Sequence, residues 1–415
     1  MASADLSSTH AAAPHKHDVA IVGGGLVGAS LAIALAQAGI DAALIEATGE
    51  AALPPVFDQR NLSLAEATVN ALTALGVLQK LQLPPAPIKR IHISREGDFG
   101  RVQLQAGDYA REQFGQVVVA SDFGQALEAR LREWPQLARY RAARFVGLGD
   151  ADVGYRGVRL ATAQGEQVLQ ARLLVAADGA DSAVRDALGI GIDVHDYAQT
   201  AFIARVRAER TADGSAWERL TAHGPVALLP RGDRHYGAVL CVAANQAGAV
   251  AALDDEAWLT RLQAAFGWRA GRFLACGPRS AYPLRKTVAQ RVIAPRAVLV
   301  GNAAQAVHPL GAQGFNLGLR DALTLAEMLQ AEGVDVIDGD LLPRYAQRRA
   351  EDRGRTIAFS DGFARLGSTP GALASVLRAA GLAGIARIPA LQAMLVGGAM
   401  GYRGDVPALC RNAQA

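Results

Sequence analysis

Apolar positions come in two arrangements along this chain. In the first, short runs are apolar at every position: Val19–Val22, Ala42–Ile45, Leu173–Ala177 and Ala297–Val300. Runs of this kind predict strands buried on both faces. Three glycines follow the first run, then an uncharged Ala/Leu-rich helical segment up to Gly39, and the second run ends on Glu46. The third run stops at Asp178-Gly179, where Asp181 or Ser182 is placed to cap a short helix reaching Leu188. The fourth stops at Gly301, and a loop with Pro309, Gly311 and Gly314 feeds a helix from about Asn316 to Leu329.

In the second arrangement apolar and polar positions alternate. IKRIHIS and RVQLQ lie within 88–119, and TAFIARVRA, ERLTAHGPVALLP and HYGAVLCVAA within 191–290. Period-two alternation broken by glycines predicts antiparallel strands with one exposed face. One helix, Glu256–Phe266, interrupts the longer stretch, and 144–153, 158–162 and 167–170 predict a small meander. Helical spacing covers Leu64–Leu75, ending at Gly76, and Ser121–Trp134, with Ser121 or Asp122 as N-cap. From Arg344 onward the chain is rich in Ala, Leu and Arg and predicts helices packed on the first domain.

The fold class that follows is α/β: a Rossmann-like dinucleotide-binding domain, an inserted, mostly antiparallel β-sheet substrate domain, and C-terminal helices. The first domain takes 18–85, 119–190 and 291–355, the second 86–118 and 191–290, and the helices 356–415, after a flexible tail over 1–17.

Gly23, Gly25 and Gly28 carry the most specific chemistry, because G-x-G-x-x-G stands here between a strand and a helix. The first glycine allows the tight turn, the second lets backbone approach a pyrophosphate, and the third lets helix pack on strand. The helix N-terminus then faces the phosphates, and Glu46 is placed to accept from a ribose hydroxyl. Arg60 precedes a helix and could reach the cofactor, although a solvated loop arginine explains it equally well; Gln125 sits near the start of its helix.

Composition removes other classes. A 51% hydrophobic chain of 415 residues with 20% charged residues is globular, and a net charge of +3 leaves no nucleic-acid footprint. Three cysteines lie far apart, so neither a disulfide framework nor a metal site is expected, and a reducing, cytoplasmic setting fits. The N-terminal residues lack the apolar core of a signal peptide. No transmembrane segment is expected: 388–402 is uncharged, but as a helix it would reach only about 22 Å.

Taken in order, the glycine turn with Glu46, Asp178-Gly179 with Ser182 and Arg185, and Gly301-Asn302 through Asn316 resemble the flavoprotein aromatic hydroxylases of the para-hydroxybenzoate hydroxylase type. GNAAQAVHPLGAQGFNLGLRDA, WERLTAHGPVALLP and YPL at 282–284 are most similar to the ubiquinone-biosynthesis branch, and within it to hydroxylases of the 2-octaprenyl-6-methoxyphenol type. The resemblance implies FAD as cofactor, NAD(P)H visiting the same site as co-substrate, and a flavin C4a-hydroperoxide that hydroxylates an electron-rich, prenylated phenol. It implies Gly23, Gly25, Gly28 and Glu46 at the adenosine half, with Arg60 and Gln125 as further FAD contacts. Asp178 and Gly179 would lie near the pyrophosphate, and Asn302, Pro309, Gly311, Gly314, Phe315 and Asn316 along the ribityl chain and ring. Asn302 stands where the family usually has aspartate; an amide still offers an acceptor and donors to a ribityl hydroxyl.

His308 and His223 are the candidates for a base that deprotonates the phenol, since histidine titrates near neutrality. The C-terminal stretch could meet a membrane surface, at the periphery of the inner membrane, or other ubiquinone-biosynthesis proteins. Two alternatives stay open: a related hydroxylase of a soluble aromatic, and an FAD-binding scaffold without turnover. A tryptophan halogenase is disfavoured, because W-x-W-x-I-P is missing.

Overall fold

The computed structural model of the chain describes residues 15–98, 100–369 and 371–411. Positions 1–14 of the expected tail lie outside the described residues. The first strand starts at His15 rather than Val19: β1 (His15–Val22) runs beside Gly165–Ala176 from His15 onward.

Five strands of an eight-stranded sheet lie parallel, in the order Ala297–Leu299, Gly165–Ala176, β1, β2 (Ala42–Glu46) and Ala138–Arg141. Their register decides where a ligand can bind. Val22 lies opposite both Ile45 and Ala176, and Ala176 opposite Leu299. Gly23, Glu46, Asp178 and Gly301 therefore emerge together at the carboxyl edge. The chain order reverses between β1 and Gly165–Ala176, and such a switch point is where open α/β sheets bind ligands. The runs are apolar throughout because both faces are covered; Val19, Ile21, Leu173 and Leu174 are fully buried. Helix α1 (Leu26–Gln37) packs between Ala120–Arg132 and Gln313–Glu332. The runs at 167–170 and 173–177 form one continuous strand, antiparallel to Tyr155–Thr162 and parallel to β1.

The alternating segments form a nine-stranded sheet, antiparallel except where Ser215–Thr221 runs parallel to Arg90–Arg95. Helix Asp255–Phe266, capped by Asp254, covers one face through Trp258, Leu262 and Phe266.

Three expectations need correction. Helix Leu64–Leu75 is a strand followed by a helix: Asn61–Ala65 pairs with Gly115–Val119, and the helix runs Glu66–Ala74. Leu64 suits either period, and the distant partner strand decides. Helix Ala120–Arg132 has no side-chain cap; the Asp122 carboxylate instead accepts from the Gln82 and Leu83 N–H groups, at 3.1 and 3.0 Å. The C-terminal helices do not pack on the first domain alone. Leu341–Ser368 bridges Gln313–Glu332 and the nine-stranded sheet, while Leu382 and Val396 of the next two helices, with Met400 just beyond them, share a core with Ile88, Ile93 and Leu104.

Candidate active site

At the glycine turn, Gly23 has φ +107°, and a Cβ on it would lie 2.5 Å from the Ala177 carbonyl oxygen. A Cβ on Gly28 would lie 1.9 Å from the Gly23 oxygen. Both positions are closed to side chains by the protein itself. Gly25 is different: its Cβ would meet only Val56 Cγ1, at 3.5 Å. Gly25 is also the N-cap of α1 and makes no side-chain capping bond. Bare backbone and uncapped N–H groups at a helix N-terminus fit the approach of a pyrophosphate. Glu46 closes over this turn, its Oε2 accepting from Gly24 N–H and its Oε1 from Thr48 N–H, both at 2.7 Å. Each carboxylate oxygen keeps lone-pair capacity for a ribose hydroxyl.

Asp178 serves the short helix Ala183–Ala187: it accepts from Ser182 Oγ at 2.5 Å and from Val184 N–H at 3.1 Å. Ser182 is the N-cap, accepting from Arg185 N–H at 3.0 Å. Gly179 beside it has φ +92° and no neighbour within reach of a Cβ. Asn302 is exposed at the same edge.

The late loop turns through two consecutive left-handed residues, Gly311 at φ +72° and Ala312 at φ +51°. The helix after it begins at Gln313, three residues before the expected start, so Gly314, Phe315 and Asn316 belong to its first turn. Its N-cap, Ala312, offers no side-chain acceptor, which leaves the first N–H groups for a ligand. Phe315 packs edge-on against Phe123, ring centres 5.6 Å apart. Asn316 is a staple: its Oδ1 accepts from Ala65 N–H at 2.9 Å, and its Nδ2 donates to Ser63 O and Ala312 O at 2.9 and 2.7 Å. Arg60 is held by Asp58 at 2.8 Å and lies over the Tyr282 ring at 4.6 Å. Gln125 is exposed on its helix.

Between this loop and the nine-stranded sheet lies a cavity of about 160 Å³. On that measure one water needs about 10–15 Å³, so the space suits an organic ligand better than a packing gap. Ser63–Ala65 and Pro309–Gln313 form one wall, Ile93, Leu104, Ala227 and Val239 another, and Phe359, Phe363 and Leu395 of the C-terminal helices a third. The lining is apolar almost throughout.

Neither histidine candidate lines it. His223 is exposed in the hairpin turn before Gly224. His308 is buried edge-on against Tyr197, its Nδ1 accepting from Leu310 N–H at 3.2 Å and its Nε2 unpartnered. The carboxyl group that does face the cavity, Glu218, escaped sequence reasoning. It lies on Ser215–Thr221, opposite Ala227 on one neighbouring strand and Ile93 on the other. An acid on the Ala216–Leu220 face of that strand was the available signal.

Burial pushes the imidazoles of His308 and His92 down to about 4, the charges of Arg269 and Arg101 adding to the effect at His92. Both are neutral in the fold, while the unfolded chain takes up protons near 6.5. The unfolded state thus binds more protons between these values, so stability present above pH 6.5 is lost as pH falls toward 4. At about 1.4 kcal/mol per pKa unit, each group accounts for on the order of 3 kcal/mol. The urea midpoint is expected to fall over that window, and less steeply in His308→Asn; identical profiles would contradict the assignment.

Comparison with known proteins shows the family. Residues 16–360 match the family described as "FAD binding domain". The chain is 34% identical over 389 residues to ubiquinone hydroxylase UbiL of Rhodospirillum rubrum, covering 92% of this chain and 89% of that one. It is 31% identical over 345 residues to the 3-demethoxyubiquinol 3-hydroxylase of Escherichia coli, covering 81% and 86%. Among solved structures, p-nitrophenol 4-monooxygenase PnpA from Pseudomonas putida superposes with a TM-score of 0.79 over 94% of this chain and 99% of that one, at 17% identity. That likeness speaks for the fold; the sequence kinship carries more. The chain belongs to the FAD-binding-domain family of flavoproteins, alongside the ubiquinone hydroxylases.

Proposed function

We propose that the chain is an FAD-dependent monooxygenase that hydroxylates an electron-rich, prenylated phenol in ubiquinone biosynthesis, with NAD(P)H and dioxygen. The observation that carries this reading is the apolar cavity running from the glycine-rich loop to the C-terminal helices. In our reading, segments 18–85, 119–190 and 291–355 form the cofactor unit, and 86–118 and 191–290 the substrate unit. Gly23, Gly25, Gly28 and Glu46 hold the adenosine half. Asn302, Pro309, Gly311, Gly314 and Phe315 line the ribityl chain and ring, and Asn316 keeps their loop in place.

Bound there, FAD supplies the redox chemistry, accepting reducing equivalents from NAD(P)H and activating dioxygen. The chain's own residues orient and exclude. N–H groups at the starts of α1 and of Gln313–Glu332 meet the electron-rich ends of the cofactor. Ile93, Leu104 and Phe363 keep water from the reacting ring. A prenyl tail is accommodated toward Leu395 and Ala399.

The last two helices expose Val376, Leu377, Leu391 and Met394. Among the described residues no single helix is long and apolar enough to cross a membrane, although the pair Ser375–Arg387 and Pro389–Ala399, bent by 91°, reaches that length and apolar composition together. We assign this face to peripheral contact with the membrane surface that holds the prenylated substrate, with protein partners of the same biosynthesis as the rival occupant.

Filling the cavity tests the reading. Ala227→Phe is expected to leave FAD content unchanged and raise KM for 2-isoprenylphenol at least tenfold. An unchanged KM would remove the cavity as the substrate site. Hydroxylation of soluble phenols, without restoration of ubiquinone in a deficient bacterial strain, would favour a soluble aromatic substrate.

A further inference from the structure

Resting on that phenol reading, we infer that Glu218 is the catalytic group that receives the substrate's phenolic hydroxyl and takes up its proton as oxygen is transferred to the ring. Three observations converge. Among the described residues Glu218 is the only carboxyl group in the cavity wall, which is otherwise made of Ile, Leu, Val, Ala, Pro, Phe and Trp side chains with a few neutral polar groups. Its carboxylate faces the Gly311 N–H, within the loop that opens the helix at Gln313. The acid thus sits where the proposed cofactor wall and the substrate wall meet. Its two flanking strands present only apolar Ala227 and Ile93 opposite it, so no protein cation neutralises it from there. A phenolic O–H entering so apolar a space needs an acceptor, and an ionised carboxylate is the strongest one present.

Two other acceptors compete. Gln313 Oε1 is buried without a partner while its Nε2 donates to Gly311 O at 2.9 Å. Ser63 offers a hydroxyl. Both are neutral and release less electron density into a ring. With Glu218 the protons balance. As the ring carbon gains oxygen, the phenolic O–H bond breaks; its electron pair stays on oxygen to form the ring carbonyl, and the proton goes to Glu218. When the hydroxylated carbon loses its hydrogen to water, the ring regains aromaticity and Glu218 returns its proton to the oxygen. Dioxygen is the oxidant: its O–O bond breaks, one atom goes to the ring, and the two electrons of NAD(P)H reduce the other to water.

Burial raises the Glu218 pKa to about 8, opposed only in part by the Gly311 N–H. The acceptor form therefore grows as pH rises toward 8. Cys241, on the strand Tyr236–Ala243, is the other titratable group among the described lining residues, and burial together with the Glu218 charge keeps it protonated. The strand Gly224–Pro230, the loop 309–313 and the C-terminal helices contribute none to the lining.

The test uses FAD-loaded full-length protein, 2-isoprenylphenol and NAD(P)H from pH 6 to 9. Glu218→Gln removes a buried charge without changing shape, so folding and the flavin absorption spectrum are expected to survive. NAD(P)H oxidation should continue while hydroxylation kcat falls about a hundredfold, within the range for losing a positioned acid–base group. The rise toward pH 8 should disappear, and Glu218→Asp should restore part of both rate and profile. Wild-type coupling and profile in Glu218→Gln, or loss of the profile in Gln313→Leu instead, would overturn the inference and leave the phenol reading standing. A wild-type protein that binds FAD but hydroxylates no prenylated phenol would overturn both.

Discussion

Gly25→Ala is expected to fold as the wild type does and to lose FAD, whereas Gly28→Ala is expected not to form the turn at all. The two glycines belong to one motif, and their surroundings separate them. At Gly28 the added carbon would lie 1.9 Å from a backbone oxygen, a position no rotamer change can relieve. Overpacking a core typically costs about 1–3 kcal/mol, and a backbone collision between this helix and the turn that opens it belongs at or beyond that upper end. At Gly25 the backbone has φ −72° and ψ −166°, open to any residue, and the nearest protein atom is an ordinary contact away. A methyl group there meets only what approaches from outside. Thermal melting should show Gly25→Ala within a few degrees of wild type and Gly28→Ala well below it. Flavin absorbance after gel filtration should be at least tenfold lower in Gly25→Ala. Full flavin content in that variant would mean that the pyrophosphate does not pass over Gly25.

Asp352→Ala is expected to be the most damaging change away from the cofactor. Asp352, Asp321, Arg320 and Arg349 are all at most 1% exposed. Asp352 accepts from Arg320 through two bonds, at 2.7 and 3.0 Å, and from Arg349 at 2.6 Å, while Arg349 also donates to Asp321 at 2.9 Å. Gln305 extends the network by donating to Asp321 at 2.6 Å and accepting from Arg353 at 2.6 Å. Burial opposes ionisation of Asp352, and the two arginines outweigh it, holding the carboxyl below its ordinary value. Its stabilisation is therefore present above the unfolded-state pKa and lost as pH falls through the lower folded value. Removing one partner of a buried ion pair strands the other charge and costs about 3–5 kcal/mol. The exposed pair Arg355–Glu351, on the same helix, is the control: Glu351→Ala should cost about 0–1 kcal/mol. The network fixes Leu341–Ser368 against Gln313–Glu332, and the former carries Phe359 and Phe363 into the cavity. Loss of Asp352 should thus also weaken coupling in whatever fraction still folds. A urea midpoint equal to that of Glu351→Ala would contradict this account.

Much of this arrangement could be read from local pattern. Parallel strands covered on both faces are apolar at every position, so the runs at Val19, Ala42, Leu173 and Ala297 stood out, and the glycine turn between two of them needed no partner to be recognised. What escaped depends on contacts distant in the chain. Asn61–Ala65 becomes a strand because Gly115–Val119 lies beside it, and no period within 61–75 carries that information. Asp122 has the position of a helix cap but is spent on Gln82 and Leu83. Asn316 has the place of a flavin-loop residue in its motif, and its side-chain polar atoms join helix to strand, a role no local pattern shows. Histidine drew attention as a base on its solution pKa alone. The cavity instead presents a carboxyl group, on the face of a strand that becomes a wall only once the C-terminal helices close over it.

The account stands most directly on oxygen transfer to a prenylated phenol. Full-length protein reconstituted with FAD, given NAD(P)H, 2-isoprenylphenol and ¹⁸O-labelled dioxygen, should yield a product carrying one labelled oxygen atom on the ring, resolved by mass spectrometry. Rapid flavin reduction by NAD(P)H followed by reoxidation, with no label in the phenol under any condition of pH or added lipid, would contradict it.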